Sequence, residues 1–233
     1  MFMSSPIYAQ KIVNYVFVGN NGITENINEA HSFIIIKKYG ERFQRLDYKI
    51  NAPLVKERNF SDSLLSILEG SYNLYNIKGA LIETGSYKNN LKDGSWYHFD
   101  GENKLILEEK FSSGILVNSK TDFSTKNDSQ NQPPFKDERE ATFGKGNNDW
   151  IKYLKQNLNS DVALNSLKGG TVMVGFTIDT IGTVFNIYLK RSVEYVLDEE
   201  AKRLIEKSPE WKPAFQNGKP LKAYRLQPIT FVK

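Results

Sequence analysis

The sequence contains no cysteine, only two histidines, and no apolar run long enough to cross a membrane. The absence of cysteine excludes disulfides, thiolate nucleophiles, cysteine-bound metals and lipid attachment at an N-terminal cysteine. A membrane-spanning helix needs about 18 or more consecutive apolar residues, so none is predicted. The sequence also lacks a phosphate-binding loop, a nucleophile elbow and a metal-spaced cluster. These absences predict a protein without a metal site or a cofactor.

Few side chains remain as candidates for catalysis. His98 lies on an aromatic-rich strand, which favours a structural role, and His31 has no recognisable partner in the sequence. Asp198-Glu199-Glu200 supplies adjacent carboxylates that could act as an acid–base pair. At the start of a predicted helix they more simply favour the helix dipole, by about 0.3–1 kcal/mol each. We therefore predict no catalytic residues and no enzymatic activity.

The chain is rich in aromatic residues and carries its positive charge unevenly. Its 14 Phe, 12 Tyr and 3 Trp favour β-structure. Residues 1–140 hold 17 basic and 18 acidic side chains, whereas residues 141–233 hold 14 and 9, a net charge of +5. A mildly basic surface can attract an acidic partner, although an ordinary solvated surface is the simpler interpretation. Without a dense Lys/Arg run or a nucleic-acid-binding motif, no nucleic-acid partner is predicted.

Residues 70–114 contain an internal repeat with a period of 24 residues, in which Gly70-Ser71-Tyr72 aligns with Gly94-Ser95-Trp96. Further aligned pairs share their chemical character: Tyr75 with Phe99, Asn76 with Asp100, Leu81 with Leu105, and Tyr87 with Phe111. A weaker copy upstream keeps the spacing at Tyr48, Leu54 and Phe60. Each unit predicts two strands joined by a turn. Stacked units of this kind predict a meandering antiparallel sheet over residues 10–117.

The pattern of aromatic strand, Asn/Asp-Gly turn, leucine, aromatic residue and glycine resembles the MORN-type repeats of bacterial proteins. The resemblance covers about residues 40–117 and implies a scaffold or interaction surface. Tyr15–Val18 and Ser32–Lys38 predict further strands of the same sheet, and Asn20-Asn21-Gly22 predicts a turn.

The polar composition of residues 118–140 predicts a linker that Pro133-Pro134 would stiffen. Residues 1–9 resemble the end of a secretory signal peptide, with Ile7 and Ala9 at positions −3 and −1 before Gln10. The predicted organisation is therefore a signal-peptide remnant at 1–9, a repeat domain at 10–117, a linker at 118–140 and a second domain at 141–233.

The second domain shows helix and strand periodicities in turn. A helix capped by Asn148 would place four residues on one face: Trp150, Ile151, Leu154 and Leu158. Strict alternation then predicts a strand with Val172, Val174, Phe176 and Ile178 on its buried face. Asp179–Gly182 predicts a turn, and Thr183–Lys190 a returning strand.

A second amphipathic helix is predicted from Leu197, Ala201, Leu204 and Ile205, and it ends before Pro209. Leu221–Val232 predicts the last strand, in which Pro228 favours an edge position. The order α-β-β-α-β predicts two helices on one face of a three-stranded antiparallel sheet, and the whole chain is predicted to be α+β.

The run Gly170–Gly182 resembles the G-x-V-x-V-x-F-x-I-D-x-x-G hairpin of the TonB C-terminal domain family. Trp211-Lys212-Pro213 resembles its W-x-P turn, and Gln227–Phe231 its closing strand. The resemblance covers about residues 141–233. Two positions depart from the family pattern: Phe143-Gly144-Lys145-Gly146 replaces F-P-G-G, and Asn159-Ser160 replaces Tyr-Pro.

The resemblance implies a periplasmic protein-interaction module that binds a segment of an outer-membrane TonB-dependent transporter by strand addition. The candidate peptide-binding residues lie on the predicted last strand: Leu221, Lys222, Ala223, Tyr224, Arg225 and Leu226. Docking is expected to weaken at Pro228, which has no N–H to donate.

Two alternatives remain open from the sequence. Pro228, Lys222 and Arg225 could serve only to protect an edge strand from aggregation. The protein could instead be a scaffold whose repeat sheet binds a partner, without a transport role. Exposed edge strands would also allow two copies of the chain to pair as a homodimer.

Overall fold

The computed structural model describes residues 11–121, 123, 139–209 and 211–233. The chain divides into two compact units, Met1–Phe123 and Ser124–Lys233, and each has its own antiparallel sheet. No helix among the described residues is long and apolar enough to cross a membrane. The predicted signal-peptide remnant at 1–9 and most of the predicted linker, including Pro133-Pro134, lie outside the described residues.

The N-terminal unit is a ten-stranded antiparallel sheet, so the predicted antiparallel sheet is confirmed, and it is a meander over residues 30–120. Its strands are β1 Lys11–Gly19, β2 Gly22–Thr24, β3 Ala30–Tyr39, β4 Arg42–Lys49, β5 Leu54–Phe60, β6 Leu68–Tyr75, β7 Leu81–Lys88, β8 Leu91–Phe99, β9 Leu105–Ser112 and β10 Ile115–Lys120. Strands β3 to β10 are neighbours in chain order, while β1 lies beside β3 and carries β2 at the outer edge. The predicted turn at Asn20-Asn21-Gly22 joins β1 to β2.

The sequence repeat is visible in the strand registers. Tyr48 pairs with Leu54, Tyr75 with Leu81, and Phe99 with Leu105, and in each hairpin the register shifts just before the aromatic residue. The turns also match. The Asn76 side chain accepts N–H groups from Lys78 and Ala80 at 2.9 and 3.0 Å, and Asp100 accepts two at 2.9 Å from the equivalent positions.

Trp96 is the centre of an aromatic cluster on one face of this sheet. It is completely buried, with the Tyr87 and Tyr72 ring centroids at 5.0 and 5.5 Å. Burial, followed by the nearby Glu83 carboxylate, raises the pKa of Tyr72 to about 12. A Cβ atom at Gly85 would lie 2.2 Å from the Trp96 ring, so only glycine leaves room for the indole there. Aromatic contacts of this kind contribute about 0.5–1.5 kcal/mol each beyond the area they bury.

The described residues of the C-terminal unit form three helices and a three-stranded sheet in the order β12-β11-β15. Its elements are α1 Asn147–Asn157, α2 Ser160–Asn165, β11 Gly170–Ile178, β12 Val184–Arg191, α3 Tyr195–Glu206, β13 Ala214–Gln216, β14 Lys219–Leu221 and β15 Ala223–Phe231. Strands β13 and β14 form a separate hairpin. The predicted three-stranded antiparallel sheet with helices is confirmed.

The predicted core of this unit is also confirmed. Val172, Val174, Phe176 and Ile178 on β11 are at most 1% exposed, and the four apolar residues predicted for α3 are completely buried. At roughly 1.5–3 kcal/mol for each large buried apolar side chain, this face of the sheet is the main source of stability in the unit.

The first helix differs from its prediction. Gly146, with a φ of 126°, occupies the cap position that was expected for Asn148, which lies inside α1. Trp150 is 3% and Tyr153 9% exposed, whereas Ile151 is 42% exposed. The buried face is therefore rotated away from Ile151, because aromatic side chains pack there rather than aliphatic ones.

Three further boundaries differ. Residues 118–120 of the predicted linker pair with β9, so they belong to the N-terminal sheet. Helix α2, beginning at Ser160, was not predicted. The last strand begins at Ala223 rather than Leu221, because Leu221 pairs with Ala214 in the β13–β14 hairpin.

Candidate functional site

Strand β15 forms an open edge of the C-terminal sheet. All nine of its residues pair with β11, without a register shift, and among the described residues it has no strand partner on its other side. Pro228 lies opposite Met173 and has no N–H. A proline is tolerated in a strand where its nitrogen faces away from the sheet. Because main-chain groups alternate sides with period two, those of Leu226 and Tyr224 also face the open edge.

Side chains on β15 alternate between a helix-covered face and an open face. Ile229 and Phe231 are 1% and 2% exposed beneath the helices. On the opposite face Tyr224 is 81% and Leu226 51% exposed. Tyr188 of β12 lies on this open face against Gly175, and burial, followed by the nearby Tyr224, raises the pKa of Tyr188. The open face beside the edge is therefore aromatic and apolar.

A groove of about 570 Å³ lies next to the first half of β15. Its lining residues are Arg139, Glu140, Ala141, Ala214, Phe215, Gln216, Leu221, Ala223, Tyr224, Arg225 and Leu226. The wall opposite β15 is a main-chain ladder in which residues 139–142 pair with residues 212–215. Arg139 and Phe215 exchange hydrogen bonds of 2.9 and 2.8 Å there.

Positive charge dominates the polar lining of this groove. Arg225 Nη1 donates to Glu140 Oε2 at 3.1 Å, but the Glu140 side chain is 87% exposed and the pair is largely solvated. Arg225 Nε is buried and has no acceptor among the described residues. The Arg139 guanidinium lies over the Phe215 ring, 4.6 Å from its centroid. The groove thus presents two guanidinium groups and one carboxylate.

The structure brings most of the candidate peptide-binding residues together. Ala223 to Leu226 are the first four residues of β15, and Leu221 lines the groove from β14. Lys222 differs from the expectation, since it lies between the two strands with its Nζ 5.2 Å from the Phe185 ring centroid. Its placement follows from the β13–β14 hairpin, which takes the chain away from the sheet before β15 begins.

An aromatic cluster holds the wall of the groove in place. Trp211 is 3% exposed and has its ring centroid 5.3 Å from Phe143, 5.6 Å from Trp150 and 5.1 Å from Phe176. The cluster anchors both segments at one end of the ladder, because Phe143 follows Thr142, Trp211 precedes Lys212, and Thr142 pairs with Lys212. The Trp and Phe residues of this cluster are visible in the sequence, but their spacing along the chain does not indicate that they are in contact.

The three consecutive acidic residues of α3, Asp198, Glu199 and Glu200, have separate structural roles. Asp198 is completely buried and accepts hydrogen bonds from the Ser192 hydroxyl and from Val193 N at 2.9 Å. Glu199 lies 2.6 Å from Lys202. Glu200 forms an ion pair with Arg203. Asp198 lies in the first turn of α3, as the dipole interpretation expected, whereas the burial of Asp198 and Glu200 as hydrogen-bond acceptors was not predicted.

Glu200 joins α3 to the junction between α1 and α2. Its carboxylate is 5% exposed, receives two 2.6 Å hydrogen bonds from Arg203, and accepts Asn159 N at 2.9 Å. Arg203 also donates to Asn157 O at 2.6 Å. The hydrogen bonds to Glu200 raise the pKa of the Arg203 guanidinium. This clamp fixes the loop in which Asn159-Ser160 replaces the Tyr-Pro of the family pattern.

The two histidines lie in the N-terminal unit. His98 Nε2 is 3.0 Å from Glu109 Oε2, and His31 Nδ1 is 3.1 Å from the Ser32 hydroxyl. In the described part of the chain, no group of three His, Asp or Glu side chains is placed to hold a metal ion.

Residues 160–232 match the family model described as the C-terminal region of the Gram-negative bacterial TonB protein. The match covers less than a third of the chain and begins after α1, while no curated protein and no solved structure matches. The repeat unit lies outside the match, so its resemblance to MORN-type repeats stays a prediction. Residues 160–232 are thus similar to the TonB-type C-terminal domain, a family of protein-interaction modules of the cell envelope.

Proposed function

We propose that the C-terminal domain acts in the periplasm and binds an extended segment of an outer-membrane transporter. The segment adds as a strand to the open edge of β15, in transport-linked energy transduction. The observation that carries this proposal is the uninterrupted nine-residue pairing of β15 with β11, which leaves the other edge of β15 flat and next to a groove. An open strand edge offers main-chain N–H and C=O groups to which an extended segment can hydrogen-bond.

The expected affinity follows from the main-chain groups that the open edge of β15 exposes. The N–H and C=O groups of Tyr224 and Leu226 provide four main-chain hydrogen bonds, worth about 0.5–1.5 kcal/mol each. Association itself costs about 4–15 kcal/mol, so main-chain bonds alone cannot give a stable complex. Side-chain contacts with the open face and the groove must supply the remainder. Binding in the micromolar to millimolar range is therefore expected.

A specific observation supports the scaffold alternative. Strand β10 is the outermost strand at one end of the repeat sheet, and all six of its residues are exposed. Ile115 and Val117 are 70% and 55% exposed, which is unusual for large apolar residues at a sheet edge. In this alternative a partner pairs with β10, and the C-terminal domain has no transport role.

Leu226→Pro tests the proposed binding edge. The substitution removes an outward N–H, as Pro228 already does two residues later, so the fold is expected to persist. Isothermal titration of the full chain with N-terminal peptides of outer-membrane transporters should show at least tenfold weaker binding. Leu226→Ala is the matched control, because it removes side-chain area but keeps the N–H, and its loss should stay within about threefold.

Two outcomes would contradict the proposal. Unchanged binding by a folded Leu226→Pro variant would show that the β15 edge is not the site. Absence of binding by the unmodified chain at millimolar peptide would remove the transport role. Binding that is lost in Val117→Lys but kept in Leu226→Pro would favour the scaffold alternative.

A further inference from the structure

A strand added to β15 would present its side chains to two chemically different surfaces. Directly opposed residues on neighbouring strands share a face of the sheet. One set of side chains on the added strand would therefore lie beside Arg225, on the helix-covered face, here called the groove side, although Tyr224 and Leu226 also line the groove. The alternate set would lie beside Tyr224 and Leu226, on the open face. The two sets of side chains on the added strand would therefore contact different chemical groups of the domain. This inference rests on the strand addition proposed above.

The groove side favours an acidic side chain. Arg225 Nε is buried without an acceptor among the described residues, and a buried donor left unbonded is unfavourable. Arg139 adds a second guanidinium to the same lining. Glu140 partly offsets these charges, but it is 87% exposed and occupies Nη1 of Arg225 rather than Nε. A carboxylate entering the groove would pair with the accessible part of the guanidinium groups and complement their charge.

The open side favours apolar side chains. Tyr224 and Leu226 are 81% and 51% exposed, and they flank the outward-facing main-chain groups that a docked strand would use. Pro228 is on the same face and extends the apolar strip along the edge. Side chains of a docked strand would cover this surface and remove it from water.

We propose that the partner segment alternates acidic and apolar side chains, with the acidic set beside Arg225 and Arg139 and the apolar set beside Tyr224 and Leu226. The recognised ligand is thus an extended acidic–apolar peptide. The acidic side chains of the segment determine which of its faces lies beside Arg225 and Arg139, and its main chain binds the edge of β15.

Three eight-residue peptides test this preference in the full chain. Each alternates valine with one other residue, which is glutamate, glutamine or lysine, so a slip by two positions leaves every side chain on the same face. We expect the glutamate peptide to bind roughly five to ten times more tightly than the glutamine peptide, and the lysine peptide to bind most weakly. The preference should shrink in high salt, where exposed charges are screened.

Two variants separate charge recognition from a general loss of structure. Arg225→Gln should reduce the ratio of glutamate-peptide to glutamine-peptide affinity to within about twofold, because the guanidinium that pairs with the acidic side chains is gone. Arg225→Glu should reverse the order, so that the lysine peptide binds best. Circular dichroism melting of both variants shows whether the domain remains folded.

The outcomes distinguish this inference from the proposed function. Equal binding of all three peptides that is still lost in Leu226→Pro would overturn the acidic–apolar preference and leave strand addition standing. A glutamate preference that survives in Arg225→Gln and Arg225→Glu would also overturn the proposed acidic–apolar preference, because residues other than Arg225 would then recognise the charge. Failure of all three peptides and of transporter peptides would count against strand addition itself.

Discussion

Replacing Gly182 by alanine is expected to unfold the C-terminal domain. Gly182 has a φ of 96°, and a Cβ atom there would lie 2.0 Å from the carbonyl oxygen of Trp211. The neighbouring atoms are main chain and are held in place, since Trp211 N donates to Gly182 O at 2.9 Å. The backbone conformation and the overlap together should cost about 4 kcal/mol or more. Movement of Trp211 would also break the aromatic cluster that anchors the groove wall.

Gly218→Ala is the matched control for this substitution. Gly218 also has a positive φ, 77°, but no atom lies within 4 Å of the Cβ position. Its replacement should therefore cost only the backbone term, about 1–2 kcal/mol. Peptide-resolved hydrogen exchange measures each unit separately. Loss of protection in residues 170–231 of Gly182→Ala alone is expected, and a stable Gly182→Ala domain would contradict the packing described here.

Replacing Glu200 by alanine is expected to destabilise the C-terminal domain by about 2–4 kcal/mol. Removing one member of a buried ion pair leaves the other without its partner and is strongly unfavourable. Here Arg203 would lose two hydrogen bonds, and Asn159 N would lose its acceptor. The estimate is below the usual range for a fully buried pair, because the Arg203 side chain is 34% exposed and water can reach it.

Glu206→Ala on the same helix provides the control. Glu206 is exposed at the end of α3, so its replacement should change the free energy of unfolding by no more than about 0.5 kcal/mol. Urea unfolding of the full chain, followed by tryptophan fluorescence in which Trp150 and Trp211 report on this domain and Trp96 on the N-terminal unit, measures both values. An effect of Glu200→Ala as small as that of Glu206→Ala would show that the clamp contributes little.

The sequence predicted the elements whose periodicity is set by a single buried face. Alternation on β11 and the three-to-four spacing on α3 identify side chains that share one environment, and both predictions were correct. The repeat hairpins were equally predictable from the sequence, because an aromatic residue, a turn and a leucine recur at fixed spacing. In these cases local pattern and tertiary burial agree.

Features that depend on contacts between distant segments were not predictable in the same way. Phe143 and Trp211 are far apart in the chain and are in contact only in the folded domain, so neither spacing nor composition reveals the cluster. Buried Asp198 and Glu200 resembled ordinary first-turn carboxylates, since their acceptor roles depend on the loops before α3 and after α1. The start of β15 was misplaced because the β13–β14 hairpin is too short to show a period.

The candidate binding edge on β15 was predictable in part from the sequence, and the rest required the structure. Pro228 marked an edge from the sequence alone, and the pairing of Met173 with Pro228 fixes which main-chain groups face outward. The groove and its two arginines required the structure, because Arg139 and Arg225 are far apart in the chain. Recognition by the main chain and selection by charge are therefore separable, and each can be removed by a different substitution.

Hydrogen exchange at individual amides of β15 tests strand addition most directly. In the free protein the Tyr224 and Leu226 amides face solvent, whereas those of Arg225 and Gln227 already bond to β11. Binding of a transporter peptide, followed by two-dimensional NMR, should slow exchange at Tyr224 and Leu226 at least tenfold and change Arg225 and Gln227 little. A complex that forms without slowing exchange at Tyr224 and Leu226 would contradict the proposal that the partner adds to this edge.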